Sequence, residues 1–323
     1  MMSTRLSRLI SALIVVTVFL SACSGTTGST TTAPLRVGWS LYPGYYPMAI
    51  AVEKGFFKEH GVQVEPVFYS LYNDQTPALA SGKLDGAALV LNDALLDRVA
   101  KEVKIVMITD NSDGADQVVA APGILKTDDL YGKKIGIVKG TFGEFFVREM
   151  LNQKGIQSTS LTFVEVAPET VQDAIPNTID LGHTFEPFTS QALAKGATVI
   201  FSSAETPGLI VDVVAFRKSV IQERPKDIKA FVAAWFEAVQ YWQANPAEGN
   251  AIIAKATGLK AEEVSAKGVK IFDLAANLSA FKEGSDTSSV YFTAQKVWRF
   301  LISTGHVSSQ VDMNEILDAS FLQ

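Results

Sequence analysis

Leu79-Ala80-Ser81-Gly82-Lys83-Leu84-Asp85-Gly86-Ala87 and Ala174-Ile175-Pro176-Asn177-Thr178-Ile179-Asp180-Leu181-Gly182 share one plan. Each closes a helix, turns tightly, places an aspartate and opens a short apolar strand. The first strand runs to Asn92-Asp93-Ala94 and the second to Phe185-Glu186-Pro187, so an acid opens the next helix in both. Strands are expected around these units at 35–40, 62–69, 87–91 and 103–108, then at 117–121, 134–138, 161–166, 181–185, 198–201 and 211–216. Helical stretches separate most of them. Such alternation predicts an α/β fold with mostly parallel sheets covered by helices. From Pro225 onward the chain reads as helix only. Ile228, Phe231, Val232, Trp235, Val239 and Trp242 recur at helical spacing and mark one buried face.

The 323 residues carry 28 Lys+Arg against 34 Asp+Glu, a net charge of −6 with no basic run. Phosphate contacts need clustered cations, so no nucleic-acid partner is expected. One cysteine excludes an internal disulfide and a thiolate metal site. His60, His183 and His306 have no metal-ligand spacing, so neither a metal nor a cofactor is expected.

The amino terminus reads as an export signal. Arg5 and Arg8 precede an apolar run from Leu9 to Leu20 that is short for a membrane span. It ends in Leu20-Ser21-Ala22-Cys23, which resembles a bacterial lipobox, with Cys23 as the lipidated residue. Ser24 to Thr32 is Gly, Ser and Thr throughout and forms a tether. These readings give a signal peptide over 1–22, an anchor and tether over 23–33, and a place on the outer face of a membrane in the cell envelope.

The body resembles a known family. Gly38-Trp39-Ser40, Pro43-Gly44-Tyr45 and Glu53-Lys54-Gly55-Phe56-Phe57 are followed in order by Asp85-Gly86-Ala87, Asp110 to Asp116, Leu130-Tyr131-Gly132-Lys133-Lys134, Gly140-Thr141-Phe142-Gly143-Glu144, Glu186-Pro187 and Pro207 to Asp212. This succession resembles periplasmic substrate-binding proteins of the nitrate/sulfonate/taurine and thiamine-pyrimidine-precursor type. The resemblance implies a two-lobed periplasmic-binding-protein fold of type II, with 34–116 and 217–323 in lobe 1 and 117–216 in lobe 2. It also implies hinge closure on one small-molecule solute, with an ABC permease and its ATPase as partners. The ligand would lie between the lobes, against the first strand–helix loop and helix N-termini.

Ligands of open α/β sheets bind beyond the carboxyl ends of strands, where Asp93 and Glu186 stand. An acid at a helix start is also a cap. Trp39, Tyr42 and Tyr45, with Tyr46, crowd the first loop and could stack a planar ligand or surround a cation. Gly140, Thr141 and Phe142 open a helix whose free N–H groups suit an anion or a carbonyl, though Thr141 and Glu144 also spell a capping box. Asp110, Asp113, Asp116 and Asp212 add acid near the lobe crossing, against which only Lys139, Arg36 and Arg217 are basic. Enclosing an anion beside two carboxylates is unfavourable. The residues therefore favour an amidine, urea, amine or aminopyrimidine ligand over a sulfonate or nitrate, with taurine as a compromise. No nucleophile motif is present, so no enzyme is expected. The alternatives are a sensory module for a membrane signalling protein and a pyrimidine-synthesis-like enzyme on the same fold.

Overall fold

The computed structural model describes residues 33–308 and 311–323; the signal segment, Cys23 and nearly all of the tether fall outside them. Eleven strands form two sheets among the described residues. They are β1 (Leu35–Ser40), β2 (Val64–Tyr69), β3 (Gly86–Val90), β4 (Val103–Ser112), β5 (Asp116–Ala120), β6 (Lys134–Ile137), β7 (Thr162–Glu165), β8 (Leu181–Phe185), β9 (Thr198–Ser202), β10 (Val211–Arg217) and β11 (Val269–Ile271). The first sheet has the order β11-β4-β10-β3-β1-β2 and the second β7-β6-β8-β5-β9.

The two sheets follow one plan. β1 lies parallel between β2 and β3, as β6 lies parallel between β7 and β8. β10 then joins β3 antiparallel, as β5 joins β8. The repeated aspartates explain the match. The backbone N–H of Arg36 donates to Asp85 Oδ2 at 2.8 Å, and that of Lys134 donates to Asp180 Oδ2 at 2.8 Å. Each carboxylate thereby ties the turn before a strand to the start of its parallel neighbour. A side chain at Gly38 would meet Leu84 Cδ1 at 2.6 Å, and one at Gly136 would meet Ile179 Cδ1 at the same distance. Both glycines let the aliphatic residue of the turn lie flat on the strand.

The structure departs from the sequence reading in three places. The sheets are mixed, as expected, but antiparallel pairs are at least as many as parallel ones, where most were expected to be parallel. Residues 211–216, expected in the second lobe, belong to β10 at the centre of the first sheet, so the inserted half is shorter than 117–216. The carboxy-terminal part is not helix alone: β11 adds an edge strand to β4, and Ala261 opens only a short 3-10 turn.

The helix Pro225–Ala244 buries the expected face, and Phe231 stacks on Phe57 at 5.0 Å and meets Phe216 at 5.1 Å. It thus covers the first sheet. The chain crosses between sheets twice, at 113–115 and 203–210. Gly268 accepts both Asp113 N–H at 2.7 Å and Ala115 N–H at 3.0 Å, and Ser203 Oγ takes Gly114 N–H at 2.7 Å. Gly268 has φ +75 and a Cβ there would strike Ala115 N at 2.6 Å, so this crossing requires glycine. No described helix is long and apolar enough to cross a membrane.

Candidate functional site

Where the carboxyl ends of β1, β3 and β8 face one another across the crossings, the two halves enclose a narrow cavity of about 10 Å³. The first half contributes Tyr42, Tyr45, Tyr72, Val90 and Asp212. The second contributes Asp116, Phe142 and Phe185. A space of that size holds about one water molecule, so a solute of several heavy atoms needs the two halves to part.

The loop after β1 positions the first rings. Pro43 starts a short 3-10 turn that swings Tyr42 and Tyr45 inward, and their ring centroids lie 5.3 Å apart. Gly44 between them is obligatory, because a Cβ would fall 1.7 Å from Asp110 Oδ2. Tyr42 meets Phe185 edge-on at 5.9 Å, and Tyr72 meets Phe142 edge-on at 5.4 Å. Both pairs span the two halves. The Tyr72 N–H also donates to Glu169 Oε1 at 2.8 Å, so the structure is closed over the cavity.

Four aspartates gather here, all at least 99% buried. The Tyr45 hydroxyl donates to Asp212 Oδ1. The Tyr72 hydroxyl donates to Asp93 Oδ2 at 2.7 Å and accepts Val90 N–H at 2.9 Å. Asp116 Oδ1 lies 3.0 Å from His183 Nε2, and Phe142 packs edge-on against that imidazole at 5.0 Å. Asp110 stands directly opposite Asp212 across β4 and β10, and Thr109 Oγ1 donates to its Oδ2 at 2.8 Å. Asp110 Oδ1 and Asp212 Oδ2 have no hydrogen-bond partner. The Tyr42 hydroxyl lies near Asp110 and Ser112 without a hydrogen bond of ordinary geometry.

Burial dominates the electrostatics. It pushes the Asp110 carboxyl up to about 8, with Asp116 adding to the rise and the Thr109 hydroxyl opposing it. Burial and then the Asp110 carboxylate push Asp212 well above the usual carboxylate range. Tyr42, Tyr45 and Tyr72 are raised too, first by burial and then by the neighbouring acids, so all three remain neutral donors. Among the described residues, no basic side chain lines the cavity. Arg36 faces outward towards Glu65 at 3.8 Å, and Lys139 is exposed. Among the described residues no cluster of three His, Cys, Asp or Glu side chains is arranged to hold a metal ion.

Of the residues expected at the site, Tyr42, Tyr45, Asp116, Phe142 and Asp212 converge on this cavity. Asp93 does not line it but accepts the hydroxyl of Tyr72, which does. Trp39 turns away and packs on Phe68 at 5.0 Å. Glu186 lies in a wider outer groove, where it accepts Ser190 N–H at 3.3 Å and Ser190 Oγ–H at 3.0 Å at the start of the helix Phe188–Ala194. The helix start at Gly140 is already occupied from within. Glu144 Oε2 accepts Gly140 N–H at 2.8 Å, while the Thr141 hydroxyl donates to Val138 O at 2.8 Å. Burial raises the Glu144 carboxyl, but Gly140 N–H and Arg148 outweigh it and hold it below its usual range. Tyr72 and Phe185 line the cavity without having been singled out; Tyr72 sits in a polar loop where no periodicity marks it.

Comparison with known proteins places this geometry in a family. The family described as NMT1/THI5 like matches residues 43–249, more than half of the chain. A protein of Brucella abortus, named as a binding protein, is 30% identical over 229 residues, covering 69% of this chain and 71% of its own. A 4-amino-5-hydroxymethyl-2-methylpyrimidine phosphate synthase of Legionella pneumophila is 22% identical over 234 residues, covering 69% and 72%. The crystal structure of the periplasmic aliphatic sulphonate binding protein of Escherichia coli superposes with a TM-score of 0.71 at 17% identity, over 88% of this chain and 91% of that one. With a matching family description over most of its body and two sheets that superpose on a periplasmic binding protein, the chain belongs to the NMT1/THI5-like family.

Proposed function

We propose that this protein is the solute-binding component of an ABC importer, held to the outer face of a membrane through lipid on Cys23. It captures a small cationic or N–H-rich solute by closing its two halves. The observation that carries this reading is the cavity itself: two buried aspartates, three neutral tyrosine hydroxyls and two phenylalanines, with no basic side chain among the described residues of the lining. Two like charges 4 Å apart at an effective dielectric of 20 repel by about 4 kcal/mol. An anion meets that cost beside each of Asp116 and Asp212 that is ionised, whereas an ammonium or amidinium favours their ionised forms. The rings supply stacking and cation–π contact.

In this reading Tyr42, Tyr45, Asp116, Phe142 and Asp212 touch the ligand, joined by Tyr72 and Phe185, and Asp93 acts through Tyr72. The relatives include both binding proteins and synthases. Binding is favoured because His183, the one imidazole at the cavity, is engaged by Asp116 and enclosed by Phe142 and Phe146. A sulfonate would find the Gly140 N–H at the helix start already taken by Glu144.

A thermal-shift screen tests the reading. Guanidinium, methylammonium, urea and aminopyrimidines are set against nitrate, taurine and alkanesulfonates. A ligand at 1,000 times its dissociation constant adds about 4 kcal/mol, a shift of several degrees. Stabilisation by cationic or N–H-rich solutes alone supports the proposal. Stabilisation by sulfonates or nitrate alone refutes it.

A further inference from the structure

Asp110 does not line the cavity but stands just behind it. It is fully buried and directly opposite Asp212 across an antiparallel pair, an arrangement that brings like charges into repulsive contact. Gly44 presses on its Oδ2, and its Oδ1 and Asp212 Oδ2 each lack a partner. The loop after β1 brings Tyr42 and Tyr45 to the pair, and the loop after β2 brings Tyr72. Asp93 and Asp116 add further acid, the latter engaged by His183. From β11, Ile271 faces Asp110 in the register, while the Lys270 ammonium lies over the Phe272 ring at 5.8 Å. No side chain on these elements supplies a cation to the pair. Two buried carboxylates on directly opposed strand positions do not both ionise without one.

We infer that the empty receptor holds one proton on the Asp110–Asp212 pair and that the incoming cation displaces it, so that solute capture is an exchange of a cation for a proton. The inference rests on the proposed cationic ligand and adds what the site contains before the ligand arrives. Charge balances: one positive solute enters, one proton leaves to solvent, and no bond within the solute changes. A unit positive charge at contact distance lowers the proton affinity of such an acid about a thousandfold, enough to release a proton held to about pH 8. Asp110 is then a positioning residue. It sets the protonation of Asp212, and Asp212 touches the solute.

Infrared spectroscopy of the full chain in detergent tests this directly, because a protonated carboxyl has its own carbonyl stretch. Glu169, also raised by burial, contributes a band of its own, so the signal is read as a difference against the Asp110→Asn/Asp212→Asn double variant. The expected difference spectrum of the ligand-free protein shows the band at pH 6, and the band weakens as Asp110 titrates near 8. Guanidinium or methylammonium, whichever raises the melting temperature, removes the band at pH 7. The affinity of that cation weakens about tenfold for each unit that pH falls below 8. Absence of the band at pH 6 overturns the shared proton. A band untouched by a stabilising cation overturns the exchange and leaves the receptor reading intact. A band in a protein stabilised only by anions overturns the cationic ligand, and the exchange with it.

Discussion

The two halves are built alike and equipped differently. Asp85 and Asp180 make the same bond to the same step of their sheets, and Gly38 and Gly136 receive the same aliphatic contact. The correspondence extends into the cavity. Phe216 of β10 pairs with Gly86 as Ala120 of β5 pairs with Leu181, which makes Asp212 and Asp116 equivalent, four residues earlier on each strand. One plan thus delivers one carboxylate from each side to a single ligand space. Their supports differ: Asp212 faces a second acid on β4, whereas Asp116 is held by His183, whose counterpart on β3 is Ala88. Architecture is repeated where the sheet needs it, and chemistry diverges where the ligand is met.

Breaking the shared element should have the largest effect. Asp116→Asn and Asp212→Asn are each expected to abolish the thermal shift given by a cationic ligand, a loss of about 2–5 kcal/mol in binding. The melting temperature of ligand-free Asp212→Asn should not fall, because a raised carboxyl costs nothing to neutralise. Isothermal titration together with unfolding of the free proteins separates the two effects.

The unshared acid comes next. Asp110 binds its proton more tightly in the folded than in the unfolded chain, so its contribution to stability is fully present below about pH 4 and lost as pH rises to about 8. Denaturation of the ligand-free protein should show stability falling by about 1.4 kcal/mol per pH unit in that window from this group. Asp110→Asn should flatten the slope, and no second-half variant should do so.

Two smaller tests sharpen the likeness. Asp85→Ala and Asp180→Ala should each cost about 1–2 kcal/mol, and nearly the same amount, since each removes one carboxylate–amide bond at a strand start. Urea denaturation reads this directly. Glu186→Ala should cost only about 0.5 kcal/mol as a lost cap, and ligand affinity should hold, whereas its counterpart Asp93→Ala should weaken binding by freeing the Tyr72 hydroxyl.

The repeated turn–aspartate–strand segments could be read because they depend on local spacing. Nearly every strand in them appears within two residues of its expected bounds. What stayed hidden depends on partners far along the chain. β10 looks like any apolar run, and only its pairing with β3 and β4 assigns it to the first sheet. β11 has three residues, too few for any periodicity. At the site, the residues after β1 and at the crossings were legible because strand ends are where α/β ligands sit. Asp93 and Glu186 illustrate the limit. Both open a helix after a central strand, but one meets a buried tyrosine and the other an exposed serine. Asp110 read as a hinge acid because nothing in a linear chain shows that Asp212 will stand beside it.

The placement of β10 also sets an order of events during folding. The second sheet is made wholly from the continuous stretch 116–202 and needs nothing outside it. In the first sheet β10 separates β3 from β4, so that sheet stays in two pieces until a strand about a hundred residues downstream arrives. Long-range closure of this kind is slow, while contiguous units fold early. In a pulsed hydrogen-exchange experiment, amides of β5, β6 and β8 should therefore gain protection before those of β3 and β4. The expected order completes the inserted half first, and the half built from 35–112 and 211–271 closes around it last.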